Sequence, residues 1–238
     1  MGASAASLTA VVVFSRFDSQ RLPGKALADV AGRPLLCRVL DRVRSVPGKP
    51  PVIVATSDRP VDDPIADLAR AESVGLFRGA SDDVARRAHD CALAHRLDRL
   101  VRISGDSPFI DPALIGRMIA VADAGAADIV TNVFPRSYPP GTSIEVIATR
   151  ALARVLGESA DPEDREHVTR YMYRHAELFR IVNIAAPDGR YADVSLTVDW
   201  PADLEKAIWL VRRCGGGADL DTIVKAARDW AGAPEDAR

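Results

Sequence analysis

Three cations lie close together in the segment Ser15-Arg16-Phe17-Asp18-Ser19-Gln20-Arg21-Leu22-Pro23-Gly24-Lys25, which follows a short apolar run. Guanidinium groups grip oxyanions through paired N–H donors and an ammonium acts as a compact charge, so Arg16, Arg21 and Lys25 suit a polyphosphate. Gly24 would let the backbone come close to such a ligand, and Ser15 opens the loop. This is no Walker loop, because Ser19 stands where its first glycine belongs and Ala26 where a hydroxyl would meet magnesium. Composition alone is also served by a merely solvated loop. Asp106, in Ser104-Gly105-Asp106-Ser107-Pro108 at the end of an expected strand, is either a turn residue or a hard-cation ligand, and Asp111 is placed like a helix N-cap. Asp199 ends another expected strand, while Asp203 and Glu205 fall in a first helical turn, where acids favour the dipole. One cationic loop and two strand-end aspartates together suggest a metal-bound nucleoside triphosphate. Asp164-Arg165-Glu166-His167-Val168-Thr169-Arg170 is either a solvated helix face or a surface that meets an acidic substrate.

These groups need a frame. Strand-length apolar runs recur at Leu8 to Phe14, Val52 to Ala55, Leu100 to Ile103, Ile129 to Val133, Ile144 to Ile147, Phe179 to Ile184 and Val194 to Val198. Helical periodicity lies between most of them: Pro34 to Val46, Asp62 to Ala71, Asp82 to Leu97, Asp111 to Ala122, Pro162 to His175, Ala202 to Cys214 and Leu220 to Trp230. Such alternation predicts a three-layer α/β/α, Rossmann-like fold with a mainly parallel mixed sheet, whose ligands sit beyond the carboxyl ends of the strands. One domain over residues 8–230 is expected. The irregular stretch 135–191, with turn signals at Pro139-Pro140-Gly141 and Pro187-Asp188-Gly189, is expected as a substrate or dimerisation subdomain over the sheet edge, and 231–238 as a flexible tail.

Of 238 residues, 47% are hydrophobic, and 31 basic side chains face 33 acidic ones for a net charge of −2. That excludes a disordered chain and removes the electrostatic argument for nucleic acid as a partner. Cys37, Cys91 and Cys214 are odd in number and widely spaced, as expected of buried thiols in a reducing, cytoplasmic setting. Met1 to Ser7 are small and uncharged and the next apolar run has seven residues, so neither a signal peptide nor a membrane span is expected.

Arg16-x-x-Ser19-x-Arg21-Leu22-Pro23-Gly24-Lys25 with Gly32-x-Pro34-Leu35 resembles the opening of the cytidylyltransferases that make CMP-activated acidic sugars, in particular the SpsF branch of spore coat polysaccharide proteins. Further matches run in order through Phe77-Arg78-Gly79, Asp82-Asp83-Val84, Gly105-Asp106-x-Pro108-x-Ile110-Asp111-Pro112, Tyr138-Pro139-x-Gly141, Glu145-Val146, Arg165-Glu166-His167-Val168-Thr169 and Thr197-Val198-Asp199-x-Pro201-x-Asp203-Leu204-Glu205. The resemblance implies a nucleotide-diphospho-sugar transferase fold of the GT-A type. It implies transfer of CMP from CTP to a small acidic sugar with release of pyrophosphate, commonly by homodimers. By analogy the loop cations hold the triphosphate, Asp106 and Asp199 hold Mg2+, and Arg78 and Asp83 lie near base and ribose. Glu145, Arg165, Glu166 and His167 face the acceptor. A phosphonate or sugar phosphate acceptor, or a glycosyltransferase using a nucleotide sugar, are the alternatives. Three positions depart from the pattern: Ser15 for Ala, Ser107 for Cys, and Thr142-Ser143 for Leu-Asp.

Overall fold

The computed structural model describes residues 7–187, 191 and 193–230. Its strands are β1 (Thr9–Phe14), β2 (Val52–Ser57), β3 (Gly75–Gly79), β4 (Arg99–Ser104), β5 (Ile129–Thr131), β6 (Glu145–Ala148) and β7 (Ile181–Asn183). They form one sheet in the order β3-β2-β1-β4-β6-β5-β7, in which β6 alone runs against its neighbours. Central parallel strands are covered on both faces, which is why β1 reads as an unbroken buried run, Thr-Ala-Val-Val-Val-Phe, without alternation.

The covering helices are α1 (Leu35–Arg44), α2 (Asp63–Ala71), α3 (Val84–Ala94), α4 (Pro112–Ala124), α5 (Thr149–Glu158), α6 (Pro162–Glu166), α7 (Arg170–Arg174), α8 (Pro201–Cys214) and α9 (Leu220–Arg228). One core packs α1, α2, α4, α8 and α9 on one face of the sheet, and the other packs α3, α5 and α7 on the opposite face. In α1 the stripe Leu35, Leu36, Val39, Leu40 and Val43 is fully buried, and Pro34 precedes it where a missing N–H costs nothing. Asp111 caps α4 by accepting from Ala113 N at 2.9 Å. No described helix is long and apolar enough to cross a membrane.

Four expectations are corrected. Residues 194–198 are extended, with Val194, Leu196 and Val198 buried, yet they join no strand. They lie instead against the 139–142 turn and the end of β4, through Leu196 N to Pro140 O at 2.8 Å and Val198 N to Asp106 O at 3.1 Å. The expected helix 162–175 is two helices, broken at His167–Thr169. The buried Asp164 carboxylate accepts from Ser159 Oγ at 2.7 Å and, across the break, from Arg170 Nη1 at 2.6 Å. Residues 135–191 do not all lie over the sheet edge, because β6 enters the sheet between β4 and β5. Finally β3 and α5 are elements without a counterpart in the periodicity: β3 is a half-buried edge strand between two glycines, and α5 starts directly from β6 with Ala148 instead of a capping side chain. Asp188, Gly189 and the 231–238 tail fall outside the described residues.

Candidate active site

The chain runs β1, β2, β3 outward in one direction and then returns through α3 to place β4 on the other side of β1. Adjacent loops diverge at such a switch point, leaving a crevice beyond the strand ends. A cavity of about 640 Å³ occupies that crevice, with Phe14 and Ser15 from the end of β1 and Ser104, Gly105 and Asp106 from the end of β4 in its wall.

The loop after β1 supplies the cations. Its entry is fixed by Asp62, a fully buried carboxylate that accepts from Phe17 N at 2.6 Å, and Arg59 ties down Asp18 at 2.6 Å. Gly24 has φ of +71°, a left-handed conformation, immediately before a single 3-10 turn at Lys25–Leu27. It does not line the cavity; its role here is to turn the chain so that Lys25 points inward. Arg16 reaches Glu166 at 3.3 Å, and Arg21 reaches Asp199 at 3.1 Å while its guanidinium lies 5.6 Å from the Trp200 ring centroid.

Lys25 is the centre of the arrangement. Its ammonium donates to Asp106 Oδ2, Asp199 Oδ1 and the Val198 carbonyl, each at 2.8 Å. Asp199 reaches this point from the extended 194–199 segment, and Asp203 holds the following turn by accepting from Asp199 N and Trp200 N at 3.0 and 2.9 Å. Gly141 lets that segment come close: at φ of +89°, a Cβ there would sit 2.4 Å from the backbone of Leu196 and Thr197. Two carboxylates and a carbonyl converging on one cation form an all-oxygen set, the kind a hard divalent ion takes, so the residues fit magnesium.

A second cavity of about 540 Å³ adjoins the first and shares Arg102 and His167 with it. Glu145, 2% exposed, stands opposite Arg102 in the antiparallel register of β4 and β6. Its oxygens accept from Arg102 at 2.6 Å, Thr169 at 2.8 Å and the Tyr173 hydroxyl at 2.5 Å. Burial, reinforced by the Glu145 charge, pushes the Tyr173 phenol up, so it stays a neutral donor. The break between α6 and α7 serves both cavities: Glu166 and His167 face the first, and His167, Thr169, Arg170 and Tyr173 the second.

Ser15, Arg16, Arg21, Lys25, Asp106, Asp199, Glu166 and His167 are therefore gathered around one cavity, with Glu145 next door. Arg78, Asp83 and Arg165 are not gathered there. Arg78 bonds Asp63 and the Ser57 and Arg59 carbonyls, and Asp83 caps α3 while receiving Arg165 at 3.2 Å. Arg165 also donates to the Leu156 and Ser159 carbonyls, so it joins α5 to α6. Sequence reasoning missed Arg87 and Arg102, which line the first cavity. Burial lowers the Arg87 guanidinium, and its Nε and that of Arg102 have no hydrogen-bond partner among the described residues. A charge interrupting an apolar strand, as Arg102 does within Leu100 to Ile103, was the available signal.

The model of the cytidylyltransferase family matches residues 10–225. Among relatives, the spore coat polysaccharide biosynthesis protein SpsF of Bacillus subtilis is 28% identical over 215 residues, covering 88% of each chain. A 3-deoxy-manno-octulosonate cytidylyltransferase of Anaeromyxobacter dehalogenans is 31% identical over 240 residues, covering 83% of this chain and 95% of its own. The solved cytidylyltransferase of Leptospira borgpetersenii superposes with a TM-score of 0.87 at 24% identity over 94% of both chains. With a switch-point cavity walled by the loop cations and the two aspartates, and a family match over nearly its whole length, the chain belongs to the cytidylyltransferases and is a nucleotidyltransferase enzyme.

Proposed function

We propose that the protein transfers CMP from CTP to an acidic sugar, releasing pyrophosphate with Mg2+ as cofactor. The observation that carries this reading is the Lys25 ammonium held between Asp106 and Asp199 in a cavity also walled by Arg16 and Arg21. The acceptor hydroxyl oxygen forms a bond to the α-phosphorus of CTP, the bond from that phosphorus to the bridging oxygen of the β-phosphate breaks, and the hydroxyl proton passes to solvent. Positioning and charge neutralisation account for most of such a reaction.

Arg16, Arg21 and Lys25 bind the triphosphate and neutralise the charge that gathers on departing pyrophosphate. Asp106 and Asp199 would hold Mg2+, which supplies further positive charge to the phosphates. Arg102 and His167 sit between the two cavities, where acceptor and α-phosphate must meet, and the exposed His167 imidazole offers the proton a way to water. The second cavity receives the acceptor: Glu145 fixes Arg102, Thr169 and Tyr173 in its wall, and the arginines there favour an anion.

Pyrophosphate release from a matrix of nucleoside triphosphates and acidic sugars tests this. CTP should be preferred, and Asp199→Asn or Lys25→Ala should lower turnover about a hundredfold or more, as removal of transition-state charge stabilisation does elsewhere. Near-native turnover by both variants at subsaturating magnesium would contradict the assignment.

A further inference from the structure

The second cavity is walled by four guanidinium groups, and carboxylates match three of them. Arg102 meets Glu145 at 2.6 Å, and Arg170 and Arg174 share Asp161 and Asp164 at 2.6 to 3.5 Å. Arg136 meets no carboxylate among the described residues. Its side chain donates instead to the neutral Ser143 hydroxyl, at 3.1 Å.

Position gives that unmatched charge its meaning. Asp106, Asp199 and Lys25 line the first cavity only, Arg136 lines the second only, and Arg102 and His167 stand on the boundary. Arg136 is therefore at the end remote from the phosphates. Phe134 and Tyr173, stacked with centroids 4.6 Å apart, give the same cavity an apolar side beside its arginines. A guanidinium held in place by a neutral hydroxyl and open to the cavity is arranged to receive an oxyanion through paired donors.

Resting on the function proposed above, we infer that the acceptor carries an anionic group, a phosphate monoester or a carboxylate, at the end opposite the attacking oxygen, and that Arg136 binds it. Ser143 sets this preference because its neutrality leaves the Arg136 charge available. A sugar acid whose carboxylate adjoins the reacting hydroxyl does not fill this position; the inferred anion is an additional one.

Three acceptors distinguish the possibilities when paired with CTP and followed by pyrophosphate release: 3-deoxy-manno-octulosonate, the same acid phosphorylated on its terminal carbon, and the same acid with that carbon oxidised to a carboxylate. At least one terminally anionic acceptor should have a KM about tenfold or more below that of the parent, the scale of one charge-assisted contact, with little change in kcat. Comparing the phosphate with the carboxylate identifies the group. In Ser143→Asp, which sets a carboxylate beside Arg136, and in Arg136→Gln, the KM ratio should fall to near one. Equal KM values in the native protein, or a preference that survives both substitutions, overturns the inference while leaving the function standing. If no nucleotide and acceptor release pyrophosphate, the function itself fails. Calorimetry of the phosphorylated acid against native and Ser143→Asp protein then decides the subsite: tighter binding by native protein supports it, and equal or absent binding overturns it.

Discussion

Replacing Lys25 with methionine keeps the aliphatic stem and deletes the ammonium that holds Asp106 and Asp199 together. Three hydrogen bonds of 2.8 Å disappear, and two carboxylates that shared one nitrogen are left facing each other. Breaking a fully buried pair in this way costs about 3 to 5 kcal/mol. Here the aspartate side chains are 20% and 24% exposed, so water offsets part of the loss and about 2 to 3 kcal/mol is expected. In a chain of this length that lowers Tm by about 4 to 12 °C. The response to a divalent cation should run the other way. In the native protein an entering ion has to displace the ammonium, whereas in Lys25→Met it meets two carboxylates, of which only Asp199 keeps a cation beside it, Arg21 at 3.1 Å. Manganese without nucleotide should therefore raise the Tm of Lys25→Met clearly more than that of native protein, and electron paramagnetic resonance should show the tighter binding directly. Adding Asp199→Asn to Lys25→Met should recover part of the lost stability, because it removes one of two repelling charges. The reasoning is refuted if Lys25→Met melts with the native protein and binds manganese no better.

Other expectations follow from single contacts. Gly141→Ala forces a side chain into the left-handed region and a Cβ to within 2.4 Å of the Leu196–Thr197 backbone, so denaturant titration should show a loss of about 3 to 5 kcal/mol, with activity falling as Asp199 is displaced. A melt indistinguishable from native would mean that the 194–199 segment is not held where the structure has it. Burial pushes the Asp164 carboxyl up, but hydrogen bonds from Ser159 and Arg170 outweigh it and leave the group below the usual carboxylate range. Its contribution is present above the unfolded carboxyl value near pH 4 and is lost as pH falls through the lower folded value, so Asp164→Asn should flatten the acid limb of a Tm-against-pH curve. An unchanged acid limb would exclude that linkage. Burial pushes the Cys37 thiol up to about 11 and Cys91 to about 12, whereas Cys214 is only half-buried. Iodoacetamide at pH 8 should label Cys214 first by mass spectrometry, and equal labelling of Cys91 would contradict its burial.

The parts of the fold that could be read from sequence are those where one local pattern decides the outcome. β1 is apolar from Ala10 to Phe14 because both its faces are covered, and α1 shows its stripe because only one of its faces is. β3 escaped because an edge strand carrying Arg78 between two glycines buries no continuous face. The break between α6 and α7 escaped because Val168 and Met172 continue a helical spacing, and what interrupts it is a polar network converging on Asp164. Residues 194–198 show true alternation, yet their backbone partners are a turn and a strand end, and alternation reports burial without naming the partner. That the cationic loop, Asp106 and Asp199 would meet beyond the strand ends was legible. That Lys25 would bind both aspartates was not, because hydrogen bonds across 81 and 174 positions leave no trace in local spacing.

Those two separations bear on how the protein comes into being. A ribosome releases Lys25 before Asp106 and Asp106 before Asp199, so a growing chain holds the whole constellation only once residue 199 has emerged. Closure of the cluster is then a report that the 194–199 segment has docked against the loop after β1, and until Asp199 is in place the Lys25 ammonium has only Asp106 as a carboxylate partner.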